Sequence, residues 1–157
     1  MLKTAYTNIR DRLLETMSPM VVDLEKGQFS QIQDNYPLPL PCILVDFEEI
    51  YWSDTTGEQI GEGEVSVYHY VDAVNDTING AELSNETISL LSEFDNMYKA
   101  LHGFESDVCK LKRKRTKVNK FNSGLLCLQT TFDIVIYQEP VGEPVQKISK
   151  PKVEFNF

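Results

Sequence analysis

Residues Leu125–Tyr137 alternate without interruption, and this run constrains the fold more than any other part of the chain. Leu126, Leu128, Thr130, Phe132, Ile134 and Ile136 line one side, while Cys127, Gln129, Thr131, Asp133 and Val135 line the other. Successive side chains of a strand point to opposite faces, so a mostly apolar side beside a mixed one requires a sheet packed on a core through one face.

Two further runs share this period. In Glu64–Ala73, Val65, Val67, His69, Val71 and Ala73 face Ser66, Tyr68, Tyr70 and Asp72 across the strand. In CILVDFEEIYW, Ile43, Val45 and Phe47 alternate with Leu44, Asp46 and Glu48, after which the apolar phase slips to Ile50 and Trp52. A slip of one residue predicts a bulge near Glu48–Glu49. The preceding YPLPLP, residues 36–41, is held extended by three prolines that remove amide donors. Between the two strands, residues 53–63 read as an acidic loop in which Gly57, Gly61 and Gly63 supply turn freedom, giving a hairpin with a long connection.

Helical spacing occurs twice. Leu2, Tyr6, Ile9, Leu13 and Met17 form one apolar stripe, ended by Ser18-Pro19. Ile88, Leu91, Phe94, Tyr98 and Leu101 form the second. Ser84 or Asn85 is its expected cap, Leu83 a staple onto Ile88, and Gly103 its terminator. Met20, Val21, Val22 and Leu24 predict a short strand or turn. Val108–Val118 is a strand candidate dominated by charge. The expected order is α-β-β-α-β-β: an α+β fold with one antiparallel sheet and two helices on one face. Residues 1–157 read as a single domain, with 138–157, which carries Pro140, Pro144 and Pro151, as an extended C-terminal arm.

Charge is segregated along the chain. Net charge is −9, yet seven of the fifteen Lys and Arg residues fall between Lys110 and Lys120, while Leu44–Asp107 has only Lys99 against fifteen acids. An acidic body argues against wholesale wrapping by nucleic acid. Simple alternation puts Lys110, Lys112 and Lys114 on one face of the basic strand, and Cys109, Leu111, Arg113, Arg115 and Lys117 on the other. A strand charged on both faces belongs at a sheet edge or in a protruding arm. There the cations either guard the edge against aggregation, or meet an acidic neighbour or another copy, or touch nucleic acid. Lys110, Lys112, Arg113, Lys114, Arg115, Lys117 and Lys120 are therefore candidate partner contacts. Reversal of residues 112–115 to Glu is expected to leave the fold intact but abolish assembly. Tyr51, Trp52, Tyr68 and Tyr70 are a second candidate surface, since paired strands bring such rings together; core packing explains them equally.

Signs of chemistry are sparse. GxxxxGK[ST], GxGxxG and GxSxG are absent. Cys42, Cys109 and Cys127 form no CxxC, lie in apolar or strand-like runs, and read as buried reduced thiols. His69 and His102 are too far apart in sequence for a zinc motif. Asp46 and Glu48 share a face, but a hydrolytic centre needs further carboxylates and a placed Lys or His, so solvated outer-face residues explain them better. The expectation is a protein that is not an enzyme, with no cofactor or metal. The N-terminal MLKTAYTNIRDRLLETMSP has no apolar core of the signal-peptide kind, and no run approaches the roughly 20 apolar residues of a membrane span, so no membrane partner is expected.

In its order of elements the chain resembles the tail-terminator and head–tail joining (neck) proteins of tailed bacteriophages. The resemblance is carried by LKTAYTNIRDRLLETM, PLPCILVDFEEIYW, EVSVYHYVDAV, ISLLSEFDNMYKAL and GLLCLQTTFDIVIYQE. It implies a ring-forming structural subunit at the tail end or neck of a phage or prophage particle, usually hexameric, with no catalytic residues. It further implies partners among other copies of itself and neighbouring tail or neck proteins, and DNA passing through the ring without sequence-specific contact. The implied location is the cytoplasm of a bacterial host, then the virion. The competing expectations are a small metal-dependent nuclease-like enzyme using Asp46 and Glu48, and a monomeric protein-binding adaptor using the Tyr/Trp hairpin.

Overall fold

A computed structural model describes residues 1–19, 21–30, 37–55, 58–72, 84–120 and 124–138. The elements run α1 (Leu2–Met17), β1 (Val21–Leu24), β2 (Cys42–Thr55), β3 (Glu58–Asp72), α2 (Ser84–Leu101), β4 (Cys109–Lys120) and β5 (Leu125–Gln138). The strands form one sheet in the order β1-β2-β3-β5-β4, with every pairing antiparallel except the short parallel β1–β2. The two expected hairpins thus join through β3 and β5, and the fold is α+β. The C-terminal arm beyond Gln138, residues 73–83 and with them the Leu83 staple lie outside the described residues.

Both helices cover one face of the sheet, called here the helix face. Ala5, Ile9 and Leu13 of α1 and Phe94, Met97, Ala100 and Leu101 of α2 are buried against Ile43, Val45, Val65, Val67, Leu128, Phe132, Ile134 and Ile136. Arg12 Nε donates to the Ala100 carbonyl at 3.1 Å, tying the helices together. Ser18, in the left-handed region at φ 49°, ends α1, and Gly103 at φ 74° follows α2. The expected stripe of α2 is corrected at its start: Ile88 and Leu91 are 65% and 57% exposed. Leu90, Phe94, Met97 and Leu101 face inward instead. Phe94 and Leu101 belong to both possible stripes, so spacing alone does not choose between Met97 and Tyr98. The structure buries the thioether and leaves the phenol at the margin.

The other side, the open face, carries a smaller cluster over part of its area. Phe29, Cys42, Leu44, Tyr70, Leu125 and Cys127 are buried there, with Val21, Leu38, Leu40 and Tyr68 packed against them. Phe29 stacks on Tyr70 with ring centroids 4.1 Å apart. The proline-rich segment before β2 therefore lays its leucines on this face. All three cysteines are free and buried. Burial pushes the Cys42 and Cys127 thiols up to about 12, which keeps them protonated near neutrality.

The bulge appears where the phase slip places it: register shifts between Phe47, opposite Val65, and Ile50, opposite Gly63. Glu48 and Glu49 together oppose Glu64. The long acidic loop does not exist, because β2 runs to Thr55 and β3 starts at Glu58. Gly61 and Gly63 are strand residues paired with Trp52 and Ile50. Their missing side chains make room across the strand rather than a turn. A Cβ on Gly61 would meet the Trp52 ring at 2.9 Å, and one on Gly63 would collide with the Glu49 carbonyl.

Candidate interaction surface

Strand β4 is the last in the sheet order, so the basic block occupies an edge. Simple alternation fails along it, because a second bulge intervenes: Arg113 opposes Phe132 and Arg115 opposes Thr131, leaving Lys114 as the extra residue. Arg113 lies on the helix face, its guanidinium carbon 3.8 Å from the Tyr98 ring centroid. Its backbone N–H donates to Nδ1 of His102, whose ring stacks on Tyr98 at 4.8 Å. After the bulge the phase inverts, so Arg115 and Lys117 join Lys110, Lys112 and Lys114 on the open face. The expectation of charge evenly split between two faces is therefore corrected. Five of the cations share one face because the extra residue resets the alternation.

Part of this block is neutralised within the subunit. Lys114 Nζ bridges Glu64 Oε1 at 2.5 Å and Asp133 Oδ1 at 3.2 Å; Arg115 reaches Glu64 Oε2 at 3.6 Å. Lys110 pairs with Glu105 at 2.9 Å. No ion pair engages Lys112, Lys117 or Lys120 among the described residues. The expectation that Glu at all of 112–115 leaves the fold intact is revised accordingly. Such a change removes the Arg113–Tyr98 stacking and places like charge against Glu64 and Asp133. Lys112, Lys117 and Lys120 are the residues whose reversal spares the interior.

The neighbouring open face is crossed by a chain of aligned donors. Arg115 Nε donates to Thr131 Oγ1 at 3.3 Å, Thr131 and Ser66 hydroxyls meet at 2.9 Å, and Ser66 donates to Glu48 Oε1 at 2.5 Å. Since Ser66 spends its proton on Glu48, the Thr131 hydroxyl is the donor between them, and every bond points from guanidinium to carboxylate. Ser66 and Thr131 are fully buried. Gln129 Nε2 closes the row by donating to Ser66 at 3.4 Å and to the Tyr68 hydroxyl at 3.2 Å. Burial, then the nearby Glu48 charge, hold the Asp46 carboxyl above the usual range. Thr131→Val keeps the shape and removes the central link, so it is expected to destabilise the fold by about 2 kcal/mol. A lowered denaturant midpoint at unchanged slope measures this.

Asp46 and Glu48 do share a face, as expected, but Glu48 is committed to Ser66. Among the described residues no three His, Cys, Asp or Glu side chains are grouped to hold a metal ion. A broad concavity of about 660 Å³ lies beside them, between Glu48, Glu49, Tyr51 and Glu62 on one side and Lys114 and Arg115 on the other. With Glu64 and Asp133 also in its lining, it carries more carboxylates than cations.

The four aromatic candidates are not brought together. Tyr68 and Tyr70 sit on the open face with ring centroids 6.4 Å apart, Tyr70 being buried under Phe29. Tyr51 is 65% exposed at the far end of the same face, and Trp52, 40% exposed, lies on the helix face over Gly61. The β2 bulge separates the pairs. His69 is buried on the helix face: 2% exposed, edge-on to Phe94 at 5.7 Å, with Nε2 4.0 Å from Glu93. Its Nδ1 has no hydrogen-bond partner among the described residues.

No described helix is long and apolar enough to cross a membrane. No protein-family model matches the sequence, and no curated protein is significantly similar to it. Among solved structures, the chain is similar to one from the virion of a native gene transfer agent particle. Identity is 15%, the alignment covers 85% of this chain and 90% of that one, and the TM-score is 0.48.

Proposed function

We propose that this protein is a structural, ring-forming subunit of a tailed-phage or prophage particle, stationed at the tail end or the head–tail junction and hexameric when assembled. One observation carries the reading: Lys112, Lys117 and Lys120, which no ion pair engages among the described residues, all lie along one edge strand of an otherwise acidic protein. A subunit that joins its own copies head to tail needs two different, complementary patches, and this charge separation supplies them. The resemblance of its element order to tail-terminator and neck proteins supports the same role. An acidic body also offers little grip to phosphates, which suits DNA that passes without specific contact.

Light scattering with negative-stain microscopy tests the proposal. Closed rings of uniform size are expected, with a mass that falls as salt screens the joint. A strict monomer at high concentration, alone and with tail-tube or neck proteins, overturns it. The nuclease-like alternative predicts divalent-metal-dependent DNA cleavage that is lost in Asp46→Ala. The commitment of Glu48 to Ser66 weighs against it. The adaptor alternative loses its shared aromatic surface, because Trp52 and Tyr70 face opposite ways.

A further inference from the structure

The registers of the sheet place opposite charges at the two ends of the same rows. Lys117 opposes Gln129, which opposes Tyr68, then Leu44, then Asp23 of β1. Lys112 opposes Asp133, which opposes Glu64, which faces the Glu48–Glu49 bulge of β2. Paired residues project to one face, so each row runs across the open face from an ammonium at one edge to a carboxylate at the other, where Asp23 also pairs with Lys26 at 2.8 Å. Among the described residues, residues 103–106 and His102 meet the outer side of β4 as far as Arg113, and no strand covers it beyond. Residues 112–118 of β4 are exposed, and β1 pairs with β2 only from Cys42 to Val45, leaving the remainder of β2 without an outer strand among the described residues. Three antiparallel steps separate β4 from β2, so the two run in opposite directions. A copy related by rotation about an axis along the strands therefore brings its β1–β2 edge antiparallel to this β4, at matching height.

Resting on the ring reading above, we infer that the ring joint is this edge-to-edge contact. β4 of one copy lies antiparallel beside the β1–β2 edge of the next, with Lys112 against Glu49 and Lys117 against Asp23. The partner is a second copy of this chain, held by charge complementarity between edge strands and, beyond Arg113, by the backbone groups that an edge strand presents. The Lys114 and Glu48–Glu49 bulges, each leaving one residue unpaired, restrict the contact to one register.

Two double variants test the joint: Lys112→Glu with Lys117→Glu, and Asp23→Lys with Glu49→Lys. Each alone sets like charges across every joint and is expected to sediment at low salt as a folded monomer, its melting checked by circular dichroism. Mixed one to one, the two restore opposite charges at every joint of a ring in which they alternate, and assembly to the wild-type size is expected to return. Wild-type assembly that survives in either variant alone overturns the joint and leaves the lysines as edge guards. Failure of the mixture to assemble overturns it too. In both cases the ring reading stands on the wild-type control. A wild type that never assembles removes the ring reading itself. Lys112→Cys with Glu49→Cys checks the contact without charge reversal, since the native cysteines are buried. Mild oxidation is expected to give a ladder of linked copies, and its absence under conditions where wild type assembles counts against the joint.

Discussion

Gly63→Ala is expected to cost about 3 kcal/mol of stability, an unusually large effect for adding one methyl group to a strand. Gly63 pairs with Ile50 at the point where the β2 bulge pushes two residues against one. The new Cβ would collide with the Glu49 carbonyl and sit 2.7 Å from Ile50 Cδ1. The isoleucine tip can rotate away, but the carbonyl is backbone, so relief requires moving the bulge itself. Moving it disturbs the register of the β2–β3 hairpin, on which both faces of the sheet depend. Gly61→Ala is the matched control. The three atoms nearest its Cβ all belong to side chains, of Trp52 and Ile50. The half-exposed indole can shift, so the expected cost is below about 1 kcal/mol. Urea titration of both variants decides the matter, and equal midpoints would show that the bulge yields freely.

Acidification is expected to remove about 3 kcal/mol of stability between roughly pH 6.5 and pH 4 through His69 alone. Burial lowers its pKa in the folded protein from the usual 6.5 to about 4. In that window the unfolded chain binds a proton that the folded one refuses, so stability is complete above the unfolded value and declines as pH falls toward the folded one. Glu93 approaches the ring at 4.0 Å and would favour the charged form, but its side chain is half exposed while the imidazole is 2% exposed. Desolvation of the ring therefore outweighs a screened, distant carboxylate. Asp46 works with the opposite sign, since its raised pKa favours folding as it protonates. His69→Phe, which keeps a ring against Phe94, is expected to flatten the stability profile across this window. Thermal melts of both proteins at intervals from pH 7 to pH 4 give the comparison, and an equally steep loss in the variant would assign the effect elsewhere.

These two sites show how differently local pattern and packing are written into the chain. The β2 bulge was legible because Phe47, Ile50 and Trp52 break an apolar phase, and any slip in that phase would otherwise turn core residues to water. The β4 bulge was illegible. KLKRKRTK has no apolar contrast beyond Leu111, so nothing marks where the alternation resets. Only pairing with β5, whose own alternation is strict, reveals that Lys114 is the extra residue. Gly61 and Gly63 misled for a related reason. Glycine reads locally as freedom to turn, whereas here it is space for a neighbour's ring and carbonyl.

By itself the sequence determined the α+β class, the two faces of β3 and β5, the end of α1 at Ser18 and the placing of the basic block at an edge. Each follows from hydrophobic period or from the impossibility of burying charge on a central strand, and both operate within a few residues of chain. Tertiary structure alone decided which cations of β4 are paired. That choice depends on which carboxylates of β3 and β5 stand opposite β4, and on Tyr98 of α2 offering its ring to Arg113. Partners separated by tens of residues leave no local pattern, so the distribution of charge on the surface emerges only once the sheet is assembled.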